Sequence, residues 1–126
     1  MVPVFLMLAA SPFTVTNSTY SGPVQRPRNA RLVWRDEFNG TALDSRKWQY
    51  DTSRNKQGWF NRELEYYSAG QNLSVAGGLL TIEARHEKLD PKRFPDWGGQ
   101  EYTSARIFSK GAGWKYGFYE VRAKLP

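Results

Sequence analysis

Leu73-Ser74-Val75-Ala76-Gly77-Gly78-Leu79-Leu80-Thr81-Ile82-Glu83-Ala84-Arg85 decides the fold class. In an extended chain successive side chains point to opposite sides, so Leu80, Ile82 and Ala84 share one face and Thr81, Glu83 and Arg85 the other. Glycine tolerates positive φ, and Ala76-Gly77-Gly78 therefore reads as a hairpin turn between strands at 73–75 and 79–84. The same alternation recurs downstream. Over 102–108, Thr103, Ala105 and Ile107 oppose Tyr102, Ser104, Arg106 and Phe108; over 116–124, Gly117, Tyr119, Val121 and Ala123 oppose Tyr116, Phe118, Glu120, Arg122 and Lys124. No stretch beyond Arg31 sustains a 3.6-residue apolar period. Asp90-Pro91 and Phe94-Pro95-Asp96-Trp97-Gly98-Gly99 read as a long loop. Short strands separated by turn signals predict an all-β sandwich or barrel.

The 126-residue composition agrees with a globular protein: 40% hydrophobic and 24% charged. Aromatic residues reach 15%, with 5 Trp and 7 Tyr. Such rings fill β cores, and a few of them, apolar in body and polar at the tip, suit a sugar-binding cleft. The net charge of +6 permits nucleic-acid binding. However, Arg26, Arg28, Arg31 and Arg35 cluster before the first strand, and no basic helix or zinc-finger spacing accompanies them, so a basic linker is the expectation and nucleic acid is not. The absence of cysteine excludes disulfides, thiolate catalysis and cysteine zinc sites. His86 is the sole histidine, which excludes a histidine metal cluster.

Residues 1–30 differ from the rest. The apolar run 2–10 resembles the h-region of an export signal, without a basic n-region, and implies a secreted or periplasmic protein; a mis-assigned start or a frayed arm is the alternative. It is too short to span a membrane. Residues 11–30, rich in Ser, Thr, Pro, Gly and Asn, predict a flexible linker, leaving 31–126 as the folded part. Asn17, Asn39 and Asn72 each open an N-glycosylation triplet.

A series of motifs in order adds to this reading. Leu32-Val33-Trp34-Arg35-Asp36-Glu37-Phe38-Asn39-Gly40 is followed by Leu43-Asp44, Lys47-Trp48 and Gly58-Trp59-Phe60-Asn61-Arg62-Glu63-Leu64-Glu65-Tyr66-Tyr67. The glycine hairpin, Tyr102-Thr103-Ser104-Ala105-Arg106-Ile107 and the run from Tyr116 to Pro126 complete the series. From Arg31 to Pro126 the chain resembles the first half of a family 16 glycoside hydrolase, the laminarinase and lichenase group of endo-β-glucanases. The resemblance implies part of a concanavalin-like β-jelly-roll sandwich whose concave sheet holds the glucan. It implies a retaining glycosidase of β-1,3- or β-1,3-1,4-glucan, a monomer with β-glucan as its partner and no required cofactor. The alternative is a non-catalytic β-glucan-binding protein on the same fold.

Retaining glycosidases use two carboxyl groups about 5–5.5 Å apart. The family sets them in a Glu-x-Asp-x-x-Glu or Glu-x-Asp-x-Glu strand, and neither pattern occurs in this sequence. The resemblance places that strand after the Arg-Ala-Lys-Leu-Pro stretch, so this truncated chain is expected to lack its catalytic residues and to be inactive alone. Glu63 and Glu65, two apart on a predicted strand, would share a face; charge pairing with neighbouring basic groups is the plainer reading.

For substrate binding the resemblance singles out Asn61, in Trp-x-Asn-x-Glu-x-x-Tyr-Tyr. An amide both donates and accepts, which suits a sugar hydroxyl; a turn-forming Asn is the alternative. Arg106 is similar to a cleft-floor arginine that contacts sugar hydroxyls or orders carboxylates, and an ion pair with Glu63 or Glu120 is compatible with both roles. Trp59, Tyr66 and Trp114 are the expected stacking aromatics, each equally at home in a core or rim, and Trp97 is a possible loop wall. Glu37, with the Gly78 carbonyl nearby, is similar to part of a structural Ca²⁺ site; an ordinary strand-end carboxylate is the alternative.

Overall fold

The computed structural model describes residues 27–111 and 113–125, together with the backbone alone of Val2–Phe5, Phe13–Thr14, Pro23–Val24 and Asn61. The leader and linker expectations for 1–30 fall largely outside the described residues. Among the described residues there are eleven strands: β1 (Val2–Phe5), β2 (Phe13–Thr14), β3 (Pro23–Val24), β4 (Trp48–Tyr50), β5 (Glu65–Tyr67), β6 (Leu73–Ala76), β7 (Leu79–Ile82), β8 (Arg85–His86), β9 (Tyr102–Ser104), β10 (Ile107–Ser109) and β11 (Arg122–Ala123). The only helical element among the described residues is a 3-10 turn, Phe60–Arg62. A four-stranded sheet runs β11-β1-β7-β6, a three-stranded one β5-β9-β8, and β10-β4 and β2-β3 form pairs. All pairings are antiparallel except β5 with β9.

The glycine hairpin forms as read. Ala76 faces Leu79 across a two-residue turn, with Gly77 at φ 58 and Gly78 at φ 75. Two positive φ values in a two-residue loop match the right-handed twist of the flanking strands, which explains glycine at both places. Leu80 and Val75, opposite one another, are buried with Phe38, and Leu43, Trp48, Leu73 and Ile107 pack around them. Each large side chain sealed there contributes about 1.5–3 kcal/mol.

Two predicted strands are each divided. The run 79–85 breaks after Ile82, and β8 joins the sheet that contains β9. At the crossing the Glu83 N–H donates to the Asn72 carbonyl (2.9 Å), and Asn72 Nδ2 donates to the Glu83 carbonyl (3.0 Å). The run 102–108 divides between β9 and β10, where the Asp51 N–H donates to the Arg106 carbonyl (2.9 Å). In the second run Thr103 and Ala105 are buried while Tyr102, Arg106 and Phe108 are exposed, but Ser104 is buried as well; in the first run Ala84, expected on the face of Leu80, is exposed beyond the bend. In each case the chain turns from one sheet to the next, where local periodicity carries no signal. The strand expected over 116–124 is a correction. Among the described residues only Arg122–Ala123 pairs, with β1; Tyr116, Tyr119 and Val121 stay exposed, while Phe118 and Glu120 are half-buried.

Asn72 is also a correction to the glycosylation reading. It is 2% exposed, and its side chain bonds Ser68, Glu83 and Thr103. Phe38 holds φ 50, rare for a bulky residue and worth about 1–3 kcal/mol of strain. Asp36 sustains it: Oδ1 accepts the Phe38 N–H (3.0 Å) and Oδ2 the Trp48 indole N–H (2.8 Å). The Phe38 ring then stacks on Trp48, centroids 5.9 Å apart.

Candidate functional site

Arg106 stands where the chain leaves β9 for β10, and three parts of the fold meet at its guanidinium. Nη1 lies 3.1 Å from Glu63 Oε2 and Nε 3.4 Å from Asp51 Oδ2. The group sits over the Trp59 ring, 4.8 Å from its centroid, and 5.9 Å from that of Tyr67. A planar cation between carboxylates and over rings loses little entropy on meeting a ligand, since its fork is already oriented.

Each neighbour is placed by local structure. Glu63 follows the 3-10 turn with extended backbone and lies outside β5, so the expected strand spacing of Glu63 and Glu65 does not form. The Glu63 carboxylate accepts from the Tyr67 hydroxyl (2.9 Å) as well as from Arg106. Burial, then this hydrogen bond, pushes the Tyr67 phenol well above its usual range, so it stays a proton donor. Trp59 is nearly buried; its indole N–H donates to Asn55 Oδ1 (3.1 Å), and its ring meets Tyr67 edge-on at 5.0 Å.

The other candidates are distributed more widely. Asn61 lies in the 3-10 turn between Trp59 and Glu63, with its side chain outside the described residues. Tyr66 is 5% exposed; its hydroxyl donates to Asp96 Oδ1 (3.0 Å) and its ring meets Phe94 at 5.9 Å, so it serves as an anchor for the 94–100 loop. Trp97 is half-buried in that loop, its indole N–H on the Gln100 carbonyl (2.9 Å). Trp114 is exposed and tilts against Trp34 at 5.8 Å, lining a separate apolar cavity of about 780 Å³ with Trp34, Trp48 and Tyr119. The structure thus gathers Trp59 and Arg106, places Trp114 elsewhere and holds Tyr66 beneath a loop. Glu37 is half-buried, and a Cβ on Gly78 would lie 3.8 Å from the Glu37 carbonyl oxygen and 3.6 Å from Asn39 Oδ1. Sequence reasoning missed Asp51, Asn55 and Asp96. Their partners lie far along the chain, and only the folded path brings them together.

No protein-family profile matches the chain. Individual proteins do. It is 48% identical over 99 residues to a beta-glucanase of Rhodothermus marinus, covering 75% of this chain and 31% of that protein. It is 41% identical over 107 residues to glucan endo-1,3-beta-glucosidase A1 of Niallia circulans, covering 75% of this chain and 15% of that one. Among solved structures, SCLam, a non-specific endo-beta-1,3(4)-glucanase from family GH16 crystallised as a mutant with a glucan oligosaccharide, is 48% identical with a TM-score of 0.67, over 75% of this chain and 38% of that one.

Fold and relatives together define part of a concanavalin-like β-jelly roll. More narrowly, the chain belongs to the family 16 glycoside hydrolases, the endo-β-glucanase group, and spans about a third or less of the length of the curated relatives above.

Proposed function

We propose that this chain supplies the sugar-holding part of a hydrolase of β-1,3- or β-1,3-1,4-glucan. The observation that carries the reading is the Arg106 cluster. A guanidinium that lies over the Trp59 ring meets two carboxylates, offering oriented donors and acceptors to sugar hydroxyls. Asp51 and Glu63 are both engaged by Arg106 and do not stand as a free acid and base, which favours binding over bond cleavage by these residues. In this reading Asn61, in the turn between Trp59 and Glu63, is a further sugar-binding residue, and Trp114 is a second stacking position in its own separate cavity.

Sedimentation of the protein with insoluble β-1,3-glucan tests the reading, alongside reducing-sugar release from soluble β-glucans. Retention on the glucan without sugar release is expected. Sugar release by this chain would show that its own residues suffice for catalysis, and passage into the supernatant would end the sugar-binding reading. The reading carries with it an exported monomer, because the polymer is met outside the cytoplasm. Among the described residues no helix is long and apolar enough to cross a membrane.

The oxygen atoms facing Gly78 fit a hard cation in type. These are the Glu37 backbone carbonyl and Asn39 Oδ1, and among the described residues no three of His, Cys, Asp and Glu converge, so a calcium ion there would need further ligands. The Glu37 carboxylate and the Gly78 carbonyl would hold a structural Ca²⁺ there and brace the hairpin. Calcium should then raise the unfolding temperature of the protein and leave that of Glu37→Gln unchanged.

A further inference from the structure

Asn55 is 1% exposed and offers nothing to a ligand directly, yet it fastens three segments together. Its Oδ1 accepts from the Trp59 indole N–H (3.1 Å) and from the Tyr67 backbone N–H (2.9 Å). Its Nδ2 donates to the Tyr67 carbonyl (3.0 Å) and to Asp96 Oδ2 (3.1 Å). All the bonding capacity of the amide is thereby used, with one orientation that satisfies it. The Asn55 carbonyl in turn accepts from Gln100 Nε2. Gly98 reaches the same place: a Cβ there would lie 3.0 Å from the carbonyl oxygens of both Asn55 and Lys56, so the 94–100 loop meets this turn backbone to backbone. A groove of about 420 Å³ lined by Lys56, Glu63, Gln100 and Tyr102, among others, opens beside the junction.

We infer that Asn55 is a positioning residue for the sugar site, fixing the Trp59 ring beneath Arg106 and clamping the 94–100 loop beside it. The inference rests on the glucan-binding reading. The indole N–H has one partner, so rotation of that ring is set by Asn55, and the ring is what Arg106 lies over. Tyr66 and Asn55 hold the two oxygens of Asp96, so loop and ring are ordered by one network. A buried network of this kind is strong when complete and costly when one member is reversed.

Asn55→Asp is nearly isosteric. It keeps both acceptor bonds and replaces the donor nitrogen Nδ2 by an oxygen that faces the Tyr67 carbonyl and Asp96. The test uses ¹⁵N-tryptophan-labelled protein, with Trp59→Phe identifying the Trp59 indole resonance, and titration with a β-1,3-linked gluco-oligosaccharide. Asn55→Asp should move that resonance, speed its hydrogen exchange and weaken oligosaccharide binding about fivefold to tenfold. Asn55→Asp with Asp96→Asn exchanges donor and acceptor across the pair and should recover part of both effects, which a packing defect would not. Asp96→Asn alone leaves Asn55 in place and stays readable if Asn55→Asp does not fold; it should weaken binding and perturb Trp59 more mildly. An unmoved Trp59 signal with unchanged affinity in these variants overturns the inference, as does a loss that the double variant fails to relieve. Absence of oligosaccharide binding by the unsubstituted protein overturns the glucan reading instead, and the indole signals then decide separately whether Asn55 orders Trp59.

Discussion

Arg106 is half in water, and so its value lies in geometry more than in stability. Ion pairs at this exposure contribute about 0–1 kcal/mol. Arg106→Lys should therefore leave the urea midpoint almost unchanged while weakening glucan retention about tenfold, because an ammonium cannot hold Asp51 and Glu63 together as a planar fork. Equal binding by the lysine variant would assign Arg106 to surface charge alone. Tyr66 is the opposite case. Burial, and secondarily its bond to Asp96, raises its phenol from 10.0 to about 12. The folded protein thus favours the protonated ring. That stability is complete below about pH 10 and is lost as pH climbs through about 12. Tyr66→Phe should cost about 1 kcal/mol near neutrality and show less of this alkaline loss, read from urea midpoints across pH 8 to 12.

The hairpin between β6 and β7 was legible before any coordinates, because glycine pairs and alternating apolar residues act locally. Gly77→Ala should destabilise by about 1–2 kcal/mol, the cost of a left-handed conformation with a Cβ, and a chemical denaturation curve measures it. The buried positions Leu80, Thr103 and Ala105 in the runs 79–85 and 102–108 were legible for the same reason, exposed Ala84 and buried Ser104 excepted. Their breaks were not. What ends β7 is Asn72 reaching across to Glu83, and what ends β9 is the bend that delivers Arg106 toward Asp51. At the site, Trp59 and Arg106 could be named from their motif, and their being together awaited the fold. Tyr66 sits in the same motif, yet its neighbours Phe94 and Asp96 come from a loop that carries no periodicity. The expected strand over 116–124 had the alternation, yet only Arg122–Ala123 found a pairing partner.

At the scale of the whole molecule, the cavity formed by Trp34, Trp48 and Trp114 continues into exposed Tyr116, Tyr119 and Val121. Apolar patches of this extent attract dyes and other surfaces. Anilinonaphthalene sulfonate should brighten with the folded protein, and Trp114→Ser should dim it without loss of the β circular-dichroism signal; a dark wild-type sample would mean the cavity is closed in solution. The strand pairings have a temporal consequence as well. Trp48–Tyr50 bonds to Ile107–Ser109, and Glu65–Tyr67 to Tyr102–Ser104. A ribosome adding about 5–20 residues each second must therefore extrude most of the chain before Asp51 and Glu63 meet the cation that neutralises them. Until then the nascent polypeptide carries both acids and an unclosed sheet edge into the cell, which makes the interval before Arg106 emerges the time of greatest exposure to chaperones and proteases.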